Sequence, residues 1–146
     1  LNMQDFENTK NSLLRAIALN DTIVDSFFWL ANSYKGVDSA AKAMDIYVQM
    51  LNMIEGREER FKMQATEANR ALGQWHFERK NFGLAIPFLR KAVELSPNDV
   101  NSNLFLASAY HSNGNLDEAI RFYRRILQLD RNNDAAKKGL RLLSAD

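Results

Sequence analysis

The chain has 146 residues, of which 46% are hydrophobic and 25% charged, a composition typical of a folded domain rather than a disordered segment. Its six glycines and two prolines leave little chain for turns, which argues against an all-β sandwich, and the absence of cysteine excludes disulfides, thiolate metal sites and a cysteine nucleophile. A net charge of +1 gives no strong electrostatic reason to bind nucleic acid or an anionic membrane, and no apolar run of about 18 residues predicts a membrane span.

The first predicted element is one helix, which lacks the partner helix of each later repeat. Phe6 and Leu13 match Ala40 and Tyr47 farther along the chain at an offset of 34 residues. A fixed period of this length indicates a repeat array. We therefore predict a half repeat over residues 1–23, whose first half is missing or lies upstream of the sequence.

Three full repeats are predicted next, over residues 24–57, 66–99 and 100–133. Apolar residues three and four apart predict two helices in each. Leu72 matches Leu106 at an offset of 34 residues, whereas Leu30 matches Leu72 at 42. Small residues are expected to face the sister helix and allow its close approach; they are Ala31, Ala43, Gly73, Ala85, Ala107 and Ala119.

The longer offset reflects eight additional residues, which the pattern places at 58–65. Apolar residues keep helical spacing from Phe61 to Leu72. We therefore predict that the insertion extends the following helix, so that it runs over residues 57–80. Phe61 is expected to pack on Met50, Met53 or Ile54, and a loose loop is the alternative.

Turn residues mark the predicted helix ends in the second and third repeats. Gly114 is a suitable helix stop, and Asn115 is a suitable N-cap with Glu118 as its capping-box partner. Asn81 is predicted to open the equivalent helix of the second repeat. Pro97 is expected to separate the two repeats, since the residue before a proline disfavours the helical conformation.

Two further features concern helices near the C-terminus. Pro87 lies inside the helix that begins near Asn81, which predicts a kink or a late start. Residues 134–146 are predicted to form a capping helix, because a repeat array needs a polar outer face at its end. The packed side of that helix is expected to consist of Ala135, Ala136, Leu140 and Leu143.

The chain resembles the tetratricopeptide repeat (TPR) family at Leu72-Gly73, Ala85, Ala92, Pro97, Leu106-Ala107, Tyr110, Ala119 and Tyr123. It departs from the family pattern at Arg131, which replaces a proline, and at His76, which is expected to be a packed histidine in an aromatic slot. The resemblance implies an all-α fold: a TPR-type α-solenoid of about three full helix-turn-helix repeats, with an N-terminal half repeat and a C-terminal capping helix.

The resemblance also implies a concave groove, lined by the first helix of each repeat, that binds a partner peptide or helix. The repeat register assigns to this groove Asp25, Phe28, Asn32, Lys35, Glu67, Arg70, Gln74, Phe77, Asn101, Leu104, Ser108 and His111. Some of these side chains can instead fill space between repeats, Phe28 and Leu104 above all. TPR domains that clamp the acidic tails of heat-shock chaperones carry a set of five Lys, Asn and Arg residues, which this chain matches only at Asn32.

Arg121, Arg124 and Arg125 form the densest basic patch. By resemblance they lie on the outer helix of the third repeat. RNA binding at this patch would call for base-stacking aromatic residues beside the arginines.

No catalytic constellation, phosphate-binding loop or metal site is predicted, and no cofactor is implied. We therefore expect a non-enzymatic module that binds a protein or peptide partner, as a scaffold or adaptor in a larger assembly. The alternatives are a regulatory or anchoring domain of a larger enzyme or of a secretion or envelope machine, and a module that self-assembles through its N-terminal half repeat. Nucleic acid and direct membrane insertion are not expected, and the cytoplasm and the periplasm both stay open as locations.

Overall fold

The computed structural model describes residues 2–17, 21–36 and 39–144, and within these ranges it contains eight α-helices and no strand. The helices are α1 (Met3–Ile17), α2 (Asp21–Lys35), α3 (Ala40–Met53), α4 (Lys62–Glu78), α5 (Phe82–Leu95), α6 (Val100–Ser112), α7 (Leu116–Leu129) and α8 (Asp134–Ser144). The predicted all-α fold is therefore confirmed. None of these eight helices is long and apolar enough to cross a bilayer.

The chain divides into two compact units, unit 1 (Leu1–Ala68) and unit 2 (Asn69–Asp146). The boundary falls within α4. In unit 1 both α1 and α2 pack on α3, and in unit 2 α6 packs on α5 and α7 while α8 packs on α7. The finer division into repeats stays a prediction, and the predicted half repeat contains residues 1 and 18–20, which lie outside the described ranges.

Fully buried side chains hold α2 and α3 together in unit 1. Val24 and Ala31 on α2 and Ala43 and Met50 on α3 are each 0% exposed. Burial of such side chains is the main source of stability for a helix pair of this size. The predicted packing of Ala31 and Ala43 inside the pair is confirmed.

Helix α1 leaves most of its described apolar side chains open to solvent. Met3 is 86% exposed, and Phe6 and Leu13 are each 60% exposed. These three residues recur at intervals of three and seven along the helix, so they lie on one side of it. Unit 1 therefore presents an apolar stripe, Met3–Phe6–Leu13, that none of its described helices covers.

The segment between α3 and α4 is a series of turns. α3 ends at Met53 and α4 begins at Lys62. The backbone N–H of Arg57 donates to the carbonyl oxygen of Ile54 at 2.8 Å, which closes a turn around Gly56, whose φ is +82°. The prediction of one helix over residues 57–80 is therefore wrong at its start, because the chain spends these residues on turns and places only residues 62–65 of the insertion in α4.

These turns are packed, so the alternative of a loose loop does not describe them either. Phe61 is 2% exposed, and Met53 and Ile54 are 1% and 0% exposed. The N–H of Phe61 donates to the carbonyl of Glu58 at 3.1 Å, and its own carbonyl accepts from the N–H of Ala65 at 2.8 Å. Phe61 is thus the buried residue that connects the turns to α4.

Unit 2 is built around two positions where a glycine lets helices approach closely. A Cβ atom added at Gly73 would lie 2.4 Å from Cγ of Leu89, and one added at Gly139 would lie 2.4 Å from Cζ of Tyr123. Both distances are far below van der Waals contact, so any larger residue would have to displace the Leu89 or Tyr123 side chain. The predicted role of Gly73, to allow the close approach of its sister helix, is confirmed. Gly139 allows the same close approach between α7 and α8, where the sequence pattern had not predicted it.

The helix ends of unit 2 lie where they were predicted, but the predicted capping hydrogen bonds are not made there. Gly114 has φ +84°, the left-handed conformation that a helix stop favours. Asn81 and Asn115 stand at the N-caps of α5 and α7, but neither side chain caps its helix. The capping box with Glu118 is therefore wrong, since the Asn115 side chain instead accepts a hydrogen bond from Nδ2 of Asn113 at 2.7 Å.

One of the two prolines lies inside a helix, and the other lies between two helices. Pro87 lies inside α5, which runs unbroken from Phe82 to Leu95, so the predicted late start is wrong. Pro97 separates α5 from α6, as predicted. Its carbonyl oxygen accepts a hydrogen bond at 2.9 Å from Nδ2 of Asn103, a side chain that is 0% exposed.

The capping helix α8 packs on α7 with a slightly different face from the predicted one. Ala136 and Gly139 are buried and Leu140 and Leu143 are half-buried, whereas Ala135 is exposed. Ala135 was therefore wrongly assigned to the packed side. The close approach at Gly139 sets the face of α8, and Ala135, in the first turn of the helix, is left exposed.

Candidate functional site

The four groove residues predicted on α2 make contacts inside unit 1. The Asp25 carboxylate accepts a hydrogen bond from Gln64 at 2.7 Å, and Lys35 pairs with Glu67 at 3.0 Å. Asn32 accepts a hydrogen bond from the Tyr47 hydroxyl.

Phe28, the apolar member of that set, belongs to the packing. It is 4% exposed, and its ring meets Trp29 edge-on with the ring centroids 5.2 Å apart. Trp29 itself is 62% exposed. Phe28 is therefore a core residue, in agreement with the alternative expectation that its side chain fills space instead of lining the groove. The large exposed aromatic surface on α2 is that of Trp29.

The groove residues predicted on α4 within unit 2 are tied to their neighbours. Arg70 pairs with Asp99 at 2.8 Å, and each side chain is 24% exposed. Gln74 donates from Nε2 to Glu78 on the same helix at 2.8 Å. The positive charge of Arg70 is thus already partnered by a carboxylate.

Phe77 is the apolar member of the α4 set. Its ring lies edge-on to those of Phe82 and Phe105, at centroid distances of 5.3 and 6.3 Å, and it is half-buried. Since Phe105 is on α6, Phe77 joins α4 to α6 while part of its ring stays accessible.

On α6 the predicted residues Asn101, Leu104, Ser108 and His111 recur every three or four positions and so share one side of the helix. Asn101 is exposed and the other three are half-buried, whereas Ser102, Asn103, Leu106 and Ala107 between them are buried. We call the side formed by these residues with Arg70, Gln74 and Phe77 the α4–α6 face.

Tyr123 of α7 lies beneath the end of the α4–α6 face. Its hydroxyl is 3.2 Å from Nδ1 of His111, and the two rings meet edge-on. Burial raises the pKa of Tyr123, and a hydrogen bond with Ser108 opposes that increase. The sequence singled out Tyr123 only as a position that resembles the TPR family; its link to two predicted groove residues depends on the pairing of α6 with α7, which no local pattern reports.

His76 occupies the aromatic slot predicted for it. Its ring stacks on Phe88 with a centroid distance of 5.6 Å and an angle of 11° between the planes. Nδ1 of His76 is buried and has no hydrogen-bond partner among the described residues. The imidazole therefore acts as a flat packing group.

A second aromatic contact in unit 2 was missed from the sequence. The guanidinium carbon of Arg79 lies 3.0 Å from the centre of the Trp75 ring, and Arg79 also donates to the Trp75 carbonyl at 3.1 Å. The spacing of four residues on one helix is the signal that could have found it.

The described residues hold no group of three or more His, Asp or Glu side chains that could bind a metal ion. The α4–α6 face offers apolar, amide, hydroxyl and imidazole groups and one arginine already paired with a carboxylate. Such a mixture is typical of a surface that holds a peptide through an apolar anchor and a few hydrogen bonds.

Stacked helix pairs of this kind define an α-solenoid repeat protein. Residues 76–143 match the tetratricopeptide repeat family model. Among solved structures, the fold is similar to the first TPR domain of Spaghetti (RPAP3) bound to the HSP90 peptide SRMEEVD, with a TM-score of 0.69 and 22% identity over 86% of this chain and 94% of that one. It is also similar to the TPR domain of OM64 from Arabidopsis, with a TM-score of 0.65 and 19% identity over 84% of this chain and 94% of that one.

Among curated proteins, sperm-associated antigen 1 of Mus musculus is 35% identical over 78 residues, which are 53% of this chain and 8% of the mouse protein. The chain thus spans less than a tenth of that relative. The family match covers residues 76–143 of unit 2, and the chain shares its fold with the TPR domains named above. TPR domains are in general protein–protein interaction modules.

Proposed function

We propose that this chain is a non-enzymatic scaffold or adaptor that binds a partner peptide or helix on the α4–α6 face. The observation that supports it is the exposure pattern of α6. Leu104 is half-buried between the polar Asn101 and Ser108 and packs on the core from one side, whereas Ser102, Asn103, Leu106 and Ala107 are fully buried. A partly accessible apolar side chain flanked by hydrogen-bonding groups suits an anchor contact for a peptide side chain.

The four positions on α2 are part of the proposal, with different roles. Asp25, Asn32 and Lys35 would contribute polar contacts in unit 1. Phe28 would act indirectly by supporting α2 from within the core. A substitution at Phe28 would therefore remove packing as well as any binding, and it is unsuitable as a test.

The proposed peptide is not one held by its terminal carboxylate. Arg70 and Lys35 are each paired with a carboxylate of this chain, so binding an acidic tail there would require breaking an existing ion pair. We therefore expect that amidating the C-terminus of a bound peptide leaves its affinity unchanged. The binding of an HSP90 peptide by a structural neighbour is a property of that neighbour, and the positions compared above argue against it here.

The test is peptide selection on the whole chain, followed by measurement of the selected peptides against two variants. Leu104→Asp places a charge in the proposed anchor site, whereas Leu84→Asp makes the same change at a 57% exposed leucine on α5. We expect Leu104→Asp to weaken binding by about tenfold or more, as for an interface anchor, and Leu84→Asp to leave it unchanged. Equal binding to the two variants, with helicity intact by circular dichroism, would contradict the proposal.

A further inference from the structure

A continuous series of cations and aromatic rings crosses unit 2 away from the residues of the α4–α6 face. The Arg90 guanidinium donates to the Tyr110 hydroxyl at 3.1 Å, and the Tyr110 ring stacks on Phe122 with centroids 5.8 Å apart. The Arg121 guanidinium carbon in turn lies 5.2 Å from the centre of the Phe122 ring. We call Arg90, Tyr110, Phe122 and Arg121 the arginine–aromatic ladder.

Two more arginines extend the ladder along α7. Arg124 is exposed, and Arg125 donates to the carbonyl of Pro97 at 3.0 Å while its Nε atom is buried without a partner among the described residues. The three α7 arginines line one shallow surface depression together with Ile120 and Phe122. Arg125 is thus fixed in place by the backbone, and Arg121 and Arg124 stand beside it.

The positive charge of this surface is not neutralised locally. In the part of the chain that the structure describes, neither Arg121 nor Arg124 has a carboxylate within ion-pair distance. Asp117 lines the same depression one turn earlier, but it does not pair with Arg121. Unit 2 as a whole has twelve basic and eight acidic residues, so the excess charge is available to a partner.

We propose that this surface docks an acidic helix of a protein partner. Residues three or four apart on a helix have Cβ atoms about 5–6 Å apart, so Arg121 and Arg124 match two carboxylates at the same spacing on an opposing helix. Arginine suits this role because its planar guanidinium binds a carboxylate through two parallel hydrogen bonds. Ile120, which lines the same depression and is half-buried, supplies an apolar contact that such a helix would cover.

The rings argue against nucleic acid as the occupant. Base stacking needs an open aromatic face. Here Tyr110 is 7% exposed, and the Phe122 ring has Tyr110 stacked on it and Arg121 beside it. Because neither ring offers a free face, a single-stranded nucleic acid would gain only phosphate contacts.

A membrane surface is also a poorer match than an acidic helix. Stable attraction to anionic lipid usually takes a cluster of about four to eight basic residues. The depression holds three arginines, one of them committed to the Pro97 carbonyl, and it includes Asp117. An acidic helix, by contrast, needs only two arginines that can each bind one of its carboxylates, and Arg121 and Arg124 meet this need.

The experiment measures fluorescence anisotropy of a labelled helical peptide with glutamates three residues apart, the spacing of Arg121 and Arg124, in an alanine background. A matched peptide has glutamine at each of those positions. We expect the whole chain to bind the glutamate peptide, with an affinity that falls as salt rises, and not to bind the glutamine peptide. Failure to bind the glutamate peptide would overturn the proposal.

The decisive variant is Arg121→Ala/Arg124→Ala, which is compared with Arg131→Ala/Lys138→Ala. Both remove two exposed positive charges from unit 2, so their net charge is equal. We expect the first to weaken peptide binding by about tenfold, since exposed charge pairs contribute little individually, and the second to leave it nearly unchanged. Equal losses would show a general charge effect and would overturn the proposal.

Two further probes separate the acidic helix from the other anionic partners. A labelled oligouridylate and vesicles containing phosphatidylserine are titrated with the same proteins. Binding of either probe that exceeds peptide binding and depends on Arg121 and Arg124 would replace the proposed occupant. Leu104→Asp is expected to leave peptide binding here unchanged, so this surface and the α4–α6 face can fail separately.

Discussion

Two glycines of unit 2 show how one missing side chain determines a helix contact. At Gly73 the space that a Cβ would need is filled by Leu89, and at Gly139 it is filled by the ring of Tyr123. Leu89 is 0% exposed and Tyr123 4% exposed, so neither can move into solvent to make room. The first contact could be predicted from the repeat pattern, whereas the second could not, because α8 has no sister helix in the repeat.

Gly73→Ala is therefore expected to destabilise the protein. Overpacking costs about 1–3 kcal/mol, and the helix propensity gained by alanine returns about 1 kcal/mol. We expect a net loss of up to about 2 kcal/mol in the free energy of unfolding, measured by urea denaturation. The control is Gly83→Ala, where a Cβ would meet nothing within 4 Å, so that the propensity gain alone should stabilise; a Gly73→Ala variant stabilised as much as Gly83→Ala would contradict the close approach.

Tyr123 predicts an alkaline loss of stability. Burial raises its pKa in the folded protein, whereas in the unfolded chain the phenol titrates near its ordinary value of about 10. Above that pH the unfolded chain loses a proton that the folded protein keeps, so the free energy of unfolding falls as pH rises. Tyr123→Phe removes this group, and its stability relative to wild type is expected to improve above about pH 10; a constant difference from pH 8 to pH 11 would contradict this account.

At the scale of elements, the helices themselves were predictable and their ends less so. Apolar spacing predicted helices over most of the described chain, because burial on one side dictates that spacing. The spacing from Phe61 to Leu72 suggested an early start for α4, but periodicity cannot distinguish a helix from turns whose single large side chain is buried. Likewise Asn115 was correctly placed at an N-cap, while the bond it makes to Asn113 depends on loop geometry.

Replacing each proline by alanine is expected to change the stability of the protein in opposite directions. Pro87 lies six positions into α5 and cannot donate to the carbonyl of Gly83. We expect Pro87→Ala to restore that hydrogen bond and stabilise the protein by about 1–2 kcal/mol, which is less than the full helix penalty because alanine leaves the unfolded chain freer.

Pro97→Ala is the matched control for that change. Pro97 lies in a turn between helices, where its ring restricts the unfolded chain without costing a helical hydrogen bond. The substitution is therefore expected to destabilise by about 0.4–1 kcal/mol. Thermal unfolding followed by circular dichroism measures both variants, and a loss of stability in Pro87→Ala would show that α5 needs its proline.

At the scale of the whole molecule, the all-α TPR-type fold was predictable because the apolar pattern of the sequence recurs at a fixed offset. The proposed partner surface follows only in part from the sequence. Register assigned Leu104 and His111 to one side of α6, where both are half-buried, but it also assigned the buried Phe28 to the groove. Register does not predict burial, which depends on the helices packed around a residue. It also does not predict the ion pair between Arg70 and Asp99, because Asp99 lies between α5 and α6.

The exposed apolar stripe of α1 supports self-assembly as the alternative to partner binding. Phe6 and Leu13 are each 60% exposed, and burying such rings and chains between two copies is favourable. If α1 serves this role, the sedimentation coefficient rises with concentration, and Phe6→Ser/Leu13→Ser abolishes that rise. A monomer at every accessible concentration would remove this alternative.

The two tryptophans have a practical consequence for spectroscopy. Trp29 lies in unit 1 with most of its ring in water, and Trp75 lies in unit 2 beneath the guanidinium of Arg79. The sequence contains no other tryptophan. Trp75→Phe leaves an emission signal from unit 1, and Trp29→Phe leaves one from unit 2, so the melting of each half of the protein can be recorded optically without attaching a dye.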